Sequence, residues 1–143
     1  MHADFDRVRP AELVALLGGL LLGVSLFFPW FEFPSGNLDA WDAFTLIDIL
    51  LALTAVAGGG LFWVTLTRPS PAVPVAIGVW TTLLGLISTI FVGLRLVDHP
   101  AGSSGACIGV WLGLAGALLV LVGAWLGLNH ERPSRRSPAT PAR

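Results

Sequence analysis

Residues 46–97 read LIDILLALTAVAGGGLFWVTLT, then RPSP, then AVPVAIGVWTTLLGLISTIFVGLRLV. The turn at residues 68–71 separates two long apolar runs, and only Asp48 and Arg95 carry charge within them. A helix needs about 20 apolar residues to cross the hydrocarbon core of a bilayer, and prolines suit the ends of helices. This stretch therefore predicts two membrane-spanning helices joined by a tight turn.

Two further runs, residues 13–31 and 100–128, contain no Asp, Glu, Lys or Arg. The first ends in FFPWF without a small-x-small cleavage site, so we interpret it as a retained helix and not as a signal peptide. We therefore predict an all-α fold, an integral membrane four-helix bundle of up-down-up-down topology with left-handed, near-antiparallel packing. The expected regions are an N-terminal segment 1–10, a transmembrane domain 11–128 with spans 11–29, 44–67, 72–97 and 106–128, and a disordered basic tail 129–143.

The distribution of arginine predicts the orientation. Only Arg95 would lie on one side of the membrane, at the end of the third span. The other side would hold Arg7, Arg9, Arg68, Arg132, Arg135, Arg136 and Arg143. Segments rich in arginine are retained in the cytoplasm. We therefore expect a multi-pass protein of the cell membrane with the N-terminus and the C-terminus both cytoplasmic.

Small residues predict which helix faces pack together, because helices in lipid associate through close approach and not through hydrophobicity. Steps of three and four residues place such side chains on one face. The predicted stripes are Ala11, Ala15, Gly18, Leu22 and Ser25 on the first helix; Asp48, Ala52, Ala55 and Gly59 on the second; Gly78, Thr81, Gly85, Ser88, Val92 and Arg95 on the third; and Ala106, Gly109, Gly113, Gly116, Val120, Gly123 and Gly127 on the fourth.

The hairpin of the second and third helices would bring Asp48 and Arg95 to equal depth, on facing stripes. An Asp in the apolar layer is costly, and a charge-assisted hydrogen bond from Arg removes much of that cost. We therefore predict an Asp48–Arg95 contact, with a structural or a functional role. The alternative is that Arg95 pairs with Asp98 on its own helix. The same hairpin would place Ala55 opposite Ser88, and Gly59 opposite Gly85.

The loops expected outside the cell contain aromatic and acidic residues. Amphipathic indoles prefer the membrane interface, so Trp30 and Trp41 are expected there. The acidic residues of the first outer loop are Glu32, Asp39 and Asp42. We interpret these carboxylates as side chains that keep the loop solvated. The alternative is that they bind a divalent cation together with His99, although these residues do not have the spacing of a known metal site. Asn37 is expected to cap a helical extension over residues 38–44.

The sequence contains no catalytic motif, and its single cysteine, Cys107, excludes an internal disulfide and a cysteine metal site. Hydroxyl side chains at Thr81, Ser88 and Thr89 are expected to bond to backbone or to neighbouring helices. We expect no enzymatic activity, no cofactor, no metal and no nucleic-acid partner. The expected role is a non-catalytic accessory or interaction protein that acts through helix and outer-loop contacts, in the lipid bilayer, with a membrane-protein partner or as a homo-oligomer. The alternative is a small transporter or channel that uses Asp48 and Arg95.

Three motifs carry a resemblance to a known group of proteins. They are Phe27-Phe28-Pro29-Trp30, Ala40-Trp41-Asp42-Ala43-Phe44 and Ile47-Asp48-Ile49-Leu50-Leu51. In these motifs the chain resembles uncharacterised small four-span membrane proteins of high-GC Gram-positive bacteria. The resemblance covers about the first half of the chain and otherwise only its layout. It implies location and architecture, and no activity.

Overall fold

The computed structural model describes residues 10–39, 46–67, 72–99 and 101–130. The four helices in these ranges are α1 (Pro10–Ser25), α2 (Leu46–Thr67), α3 (Ala72–Val97) and α4 (Ile108–His130). Three short strands accompany them: β1 (Pro29–Phe33), β2 (Gly36–Asp39) and β3 (Gly105–Ala106). The turn at 68–71, most of the predicted N-terminal segment and nearly all of the predicted tail lie outside the described residues.

Within the described residues, three helices are long and apolar enough to cross a membrane: α2 over Leu46–Thr67, α3 over Val75–Val97 and α4 over Ile108–Asn129. The helix α1 is also apolar, but it has only 16 residues. The helix thus ends at Ser25, four residues before the end of the predicted first span, 11–29. The chain turns after Ser25, where the amide of Phe28 donates to the Ser25 carbonyl at 3.1 Å. Pro29 then begins β1, because proline lacks the N–H that a continuing helix would need.

The chain is mostly helical, as predicted, but the segments before α2 and before α4 also form a small antiparallel sheet of order β2-β1-β3, which the sequence did not predict. Glu32 pairs with Asn37 on one side and with Gly105 on the other. Gly36 joins β1 to β2 with a φ of 129°, a conformation that glycine adopts without strain. Asn37 is thus a strand residue and not a helix cap, and α4 begins at Ile108 instead of Ala106.

Neighbouring helices run antiparallel, and each packs on the next in a ring. On α4, Gly116 lies against Leu22 of α1 while Gly123 lies against Ala15, so the two helices run in opposite directions. The same reversal holds between α3 and α4, where Gly85 meets Leu121 and Gly78 meets Leu128. Hydrogen bonds join α2 to α3, and glycine contacts join α1 to α2. We call the end of this arrangement that carries the three strands the sheet end.

The stripes predicted for α1 and α3 are confirmed, and that of α4 is confirmed from Gly109 to Gly123. All five predicted residues of α1 are buried, as are those of α3 other than half-buried Arg95. The reason is close approach: a Cβ at Gly18 would lie 2.5 Å from the Val120 amide nitrogen. Only glycine permits backbones to come so near, which increases dispersion contacts between the helices. On α4, Ala106 lies in β3 and Gly127 is only half-buried.

The stripe predicted for α2 was shifted. Beyond Asp48, its predicted members are only half-buried. The buried face consists of Asp48, Leu51, Thr54, Gly58, Leu61 and Leu66. Consequently Thr54, and not Ala55, lies opposite Ser88. Gly85 packs on Leu121 of α4, whereas a Cβ at Gly59 would meet nothing within 4 Å, so the expected Gly59–Gly85 contact is not formed.

Candidate functional site at the sheet end

Trp30 anchors the sheet to the helices. Its side chain is fully buried, and its indole Nε1 donates to the Ser25 carbonyl at 2.7 Å. The ring lies against two glycines of α4: a Cβ at Gly109 would be 2.5 Å from Trp30 Cδ1, and one at Gly113 would be 2.8 Å from Cζ2. The indole therefore packs inside the protein and not against lipid, and its predicted depth at the membrane interface stays a prediction. Its indole N–H is satisfied inside the protein, as buried tryptophans require.

Hydrogen bonds join the two loops at the sheet end into one unit. The amide of Cys107 donates to the Trp30 carbonyl at 2.8 Å, and the amide of Ser104 donates to the Glu32 carbonyl at 2.8 Å. Next to β3, the exposed ring of His99 makes an edge-to-face contact with buried Phe31 at a centroid distance of 6.0 Å. The sheet is thus held on both sides, by α1 through the indole and by the segment that leads into α4.

The predicted acidic residues that the structure describes lie on the strands. Glu32 is exposed on β1, and Asp39 is half-buried on β2. Asp39 also interacts electrostatically with Asp48 in the first turn of α2. Asp42 and Trp41 lie outside the described residues. Within the described ranges, no group of three or more His, Cys, Asp or Glu side chains is close enough to hold a metal ion.

Asp48 is buried without a hydrogen-bond partner. Its side chain is 1% exposed, and among the residues that the structure describes no group donates a hydrogen bond to either carboxylate oxygen. The predicted charge-assisted hydrogen bond from Arg95 is therefore not formed. Instead, Arg95 lines a recess between α2 and α3 together with Asp98, the alternative partner considered from the sequence. The sequence predicted that both charges lie at equal depth, but it could not show how each helix is rotated about its axis.

A second buried carboxylate, Glu12, lies near the opposite end of the helices. Its side chain is 5% exposed in the first turn of α1. It borders a cavity of about 10 Å³ that all four helices line, with Thr65, Gly78 and Ala124 among the contributors. A cavity of this size holds one water molecule at most. The predicted site residues did not include Glu12. An acidic residue in the first turn of a helix usually interacts favourably with the helix dipole at the surface, so its position gives no sign that the side chain is buried.

Hydroxyl groups in the interior bond as the sequence predicts. Thr54 Oγ1 and Ser88 Oγ are 2.7 Å apart and join α2 to α3. Thr81 Oγ1 donates to the Ile77 carbonyl at 2.8 Å, and Thr89 Oγ1 donates to the Gly85 carbonyl at 2.7 Å. These hydroxyls therefore satisfy one another or the backbone, which is their usual role between apolar helices.

Comparisons with protein families, with curated proteins and with solved structures gave no match. The functional argument therefore depends on the residues of this chain alone.

Proposed function

We propose that this chain is a non-catalytic, four-span membrane protein that holds a small acidic sheet at the outer membrane face, where a partner protein or a second copy binds. The observation that carries the proposal is the anchoring of the sheet by Trp30. A fully buried indole packed on Gly109 and Gly113 keeps the strands in one position relative to the helices. Such preorganisation lowers the entropic cost of binding.

The distribution of polar and apolar side chains supports embedding in lipid. The hydroxyl residues Thr54, Thr81 and Ser88 are fully buried. Large apolar side chains that are more than half exposed include Leu17, Val56, Trp63, Trp80, Ile90 and Trp111. A surface of this kind is a liability in water but a suitable contact for acyl chains. In this proposal α1 is the fourth span of a left-handed bundle, and the bilayer thins or flanking side chains adjust around its shorter length.

The orientation follows from the arginines, which favour cytoplasmic termini and thus an outer sheet. Cysteine labelling of intact cells tests it. In a Cys107→Ser background, Glu32→Cys on the sheet should react with a membrane-impermeant maleimide added outside. Ser137→Cys in the tail should react only after the membrane is permeabilised. Labelling of the tail variant in intact cells, with the sheet variant protected, would contradict the proposed orientation.

A partner would contact the exposed part of the sheet. Glu32 is exposed on β1 and Asp39 is half-buried on β2, so a partner surface with basic side chains is favoured. A photo-crosslinking residue at Asn37, which is exposed on β2, should capture one discrete protein or a second copy. The matched control is the same probe at Trp63, which is 61% exposed on α2 and should capture only lipid or diffuse products. Equal capture at both positions would contradict a specific sheet contact.

The two buried carboxylates favour a second candidate function, that of a small transporter or channel. Asp48 lies near the sheet end and Glu12 near the other end, so an ion or proton route between them would have an acidic group at each end. Asp48→Asn separates the two functions. A transport route requires loss of flux through reconstituted vesicles with the fold retained, whereas an interaction protein keeps its crosslink at Asn37.

A further inference from the structure

The recess between α2 and α3 at the sheet end combines opposite charges with apolar walls. Its volume is about 280 Å³. It is lined by Ile47 of α2, by Phe91, Leu94 and Arg95 of α3, and by Asp98, which follows the end of α3. Phe91 and Asp98 are seven residues apart, which corresponds to a depth of about 10 Å along the helix. Asp98 therefore lies closer to the sheet end than Phe91 does, and Leu94 and Arg95 lie between them.

We propose that this recess binds a phospholipid whose headgroup carries a phosphate and a primary amine. The guanidinium of Arg95 contacts the phosphate, and the carboxylate of Asp98 contacts the ammonium group. The first part of an acyl chain lies against Phe91, Leu94 and Ile47. The inference rests on the proposed membrane embedding, which places the end of α3 at the level of the outer headgroups.

Charge complementarity selects this ligand. A guanidinium presents several donors in a planar fork that matches phosphate oxygens. A carboxylate only accepts hydrogen bonds, so it favours an ammonium group and disfavours a second anion. Side chains three residues apart near a helix end are about 5–6 Å apart at Cβ. A two-carbon linker between phosphate and amine covers that separation.

The size of the recess limits what it holds. Sites for whole small molecules usually measure about 300–1,000 Å³, and 280 Å³ lies just below this range. The recess therefore holds a headgroup and the start of a chain, while the rest of the lipid lies on the exposed apolar surface of α3. Leu94 and Ile90 contribute to this surface, each more than half exposed.

Native mass spectrometry of the full-length protein tests the proposal. The protein is equilibrated with phosphatidylethanolamine or phosphatidylglycerol of identical acyl chains, which differ in the presence of the amine. We expect the wild type to retain the ethanolamine lipid about threefold more, the size of effect that an exposed ion pair gives. Asp98→Asn should abolish this preference without lowering retention of the glycerol lipid. Arg95→Gln should lower retention of both lipids, and Arg95→Lys should restore part of it.

The matched control is Glu32→Gln, which removes an exposed carboxylate outside the recess and should leave the preference unchanged. Equal retention of both lipids by the wild type, or a preference that survives in Asp98→Asn, would overturn the proposal. Retention of the glycerol lipid by Asp98→Asn shows that this variant is folded. Failure of membrane embedding is distinguishable, because then no lipid is retained and Glu32→Cys is not labelled from outside.

Discussion

Replacing Gly116 by Ala adds one methyl group where α4 lies closest to α1. The new Cβ would lie 2.6 Å from the Leu22 amide nitrogen, 2.8 Å from the Leu22 Cα and 2.9 Å from the Gly18 carbonyl oxygen. All three neighbours are backbone atoms, so no side chain can rotate away. Ordinary van der Waals contact begins at 3.4 Å, so the two helices must separate by about 0.8 Å at this point.

The cost of that separation can be set against the gain in helix propensity. Overpacking of a tight interior costs about 1–3 kcal/mol, and alanine gains up to about 1 kcal/mol over glycine within a helix. We therefore expect Gly116→Ala to lower the free energy of unfolding by about 1–2 kcal/mol. The control is Gly127→Ala on the same helix, where a Cβ meets nothing within 4 Å. It should be neutral or stabilising by up to about 1 kcal/mol.

Reversible unfolding in mixed micelles of dodecyl sulfate and a mild detergent, followed by circular dichroism, measures both variants against the wild type. The structure predicts that the transition of Gly116→Ala moves to lower dodecyl sulfate, while that of Gly127→Ala does not. Equal shifts for both variants would refute the close approach of α1 and α4, and with it the packing on which the sheet anchor depends.

Three further substitutions have expected outcomes in the same unfolding assay. Asp48→Asn should raise the free energy of unfolding by about 1 kcal/mol, because the buried carboxylate has no hydrogen-bond partner in the described part of the chain and an amide costs less to bury. A clear loss of stability would show that the charge is compensated. Trp30→Phe retains an aromatic ring but removes the 2.7 Å hydrogen bond to the Ser25 carbonyl, so it should lower the free energy of unfolding by about 1 kcal/mol. An unchanged unfolding transition would argue against this hydrogen bond. In a double-mutant cycle, the effects of Thr54→Val and Ser88→Ala on the free energy of unfolding should show a coupling energy of about 0.6 kcal/mol. Strictly additive effects of the two substitutions would contradict the contact between Thr54 and Ser88.

The stripe predicted for α2 failed for a reason that can be located in the sequence. Gly58, Gly59 and Gly60 are consecutive, and successive residues in a helix point about 100° apart. Three faces of α2 therefore carry a glycine, and spacing alone cannot choose among them. In the structure Gly58 lies closest to a neighbouring helix, where a Cβ would be 2.7 Å from the Ala15 carbonyl oxygen. On α1, which has a less ambiguous pattern, the stripe was predicted correctly.

The sequence did not predict the third strand of the sheet, because the pairing of β3 with β1 is not local. Ser104 donates to Glu32 across 72 residues of sequence, and β3 contains only two residues. No periodic pattern of apolar and polar residues can develop over so short a strand. The fully buried position of Trp30 also depends on long-range contacts, with Cys107, Gly109 and Gly113, so the local sequence could not show it.

Length and apolarity were sufficient to predict helices in this chain, since hydrogen bonds within a helix are local and lipid-compatible segments must be long and uncharged. Glycine and alanine spacing was sufficient for the contact faces of α1, α3 and α4. The rotation of α2, the burial of Asp48 without a hydrogen-bond partner among the described residues, and the recess that Ile47 forms with Arg95 and Asp98 emerged only from the packed structure. These features depend on how four helices and a sheet meet, and that is set by contacts between residues far apart in the chain.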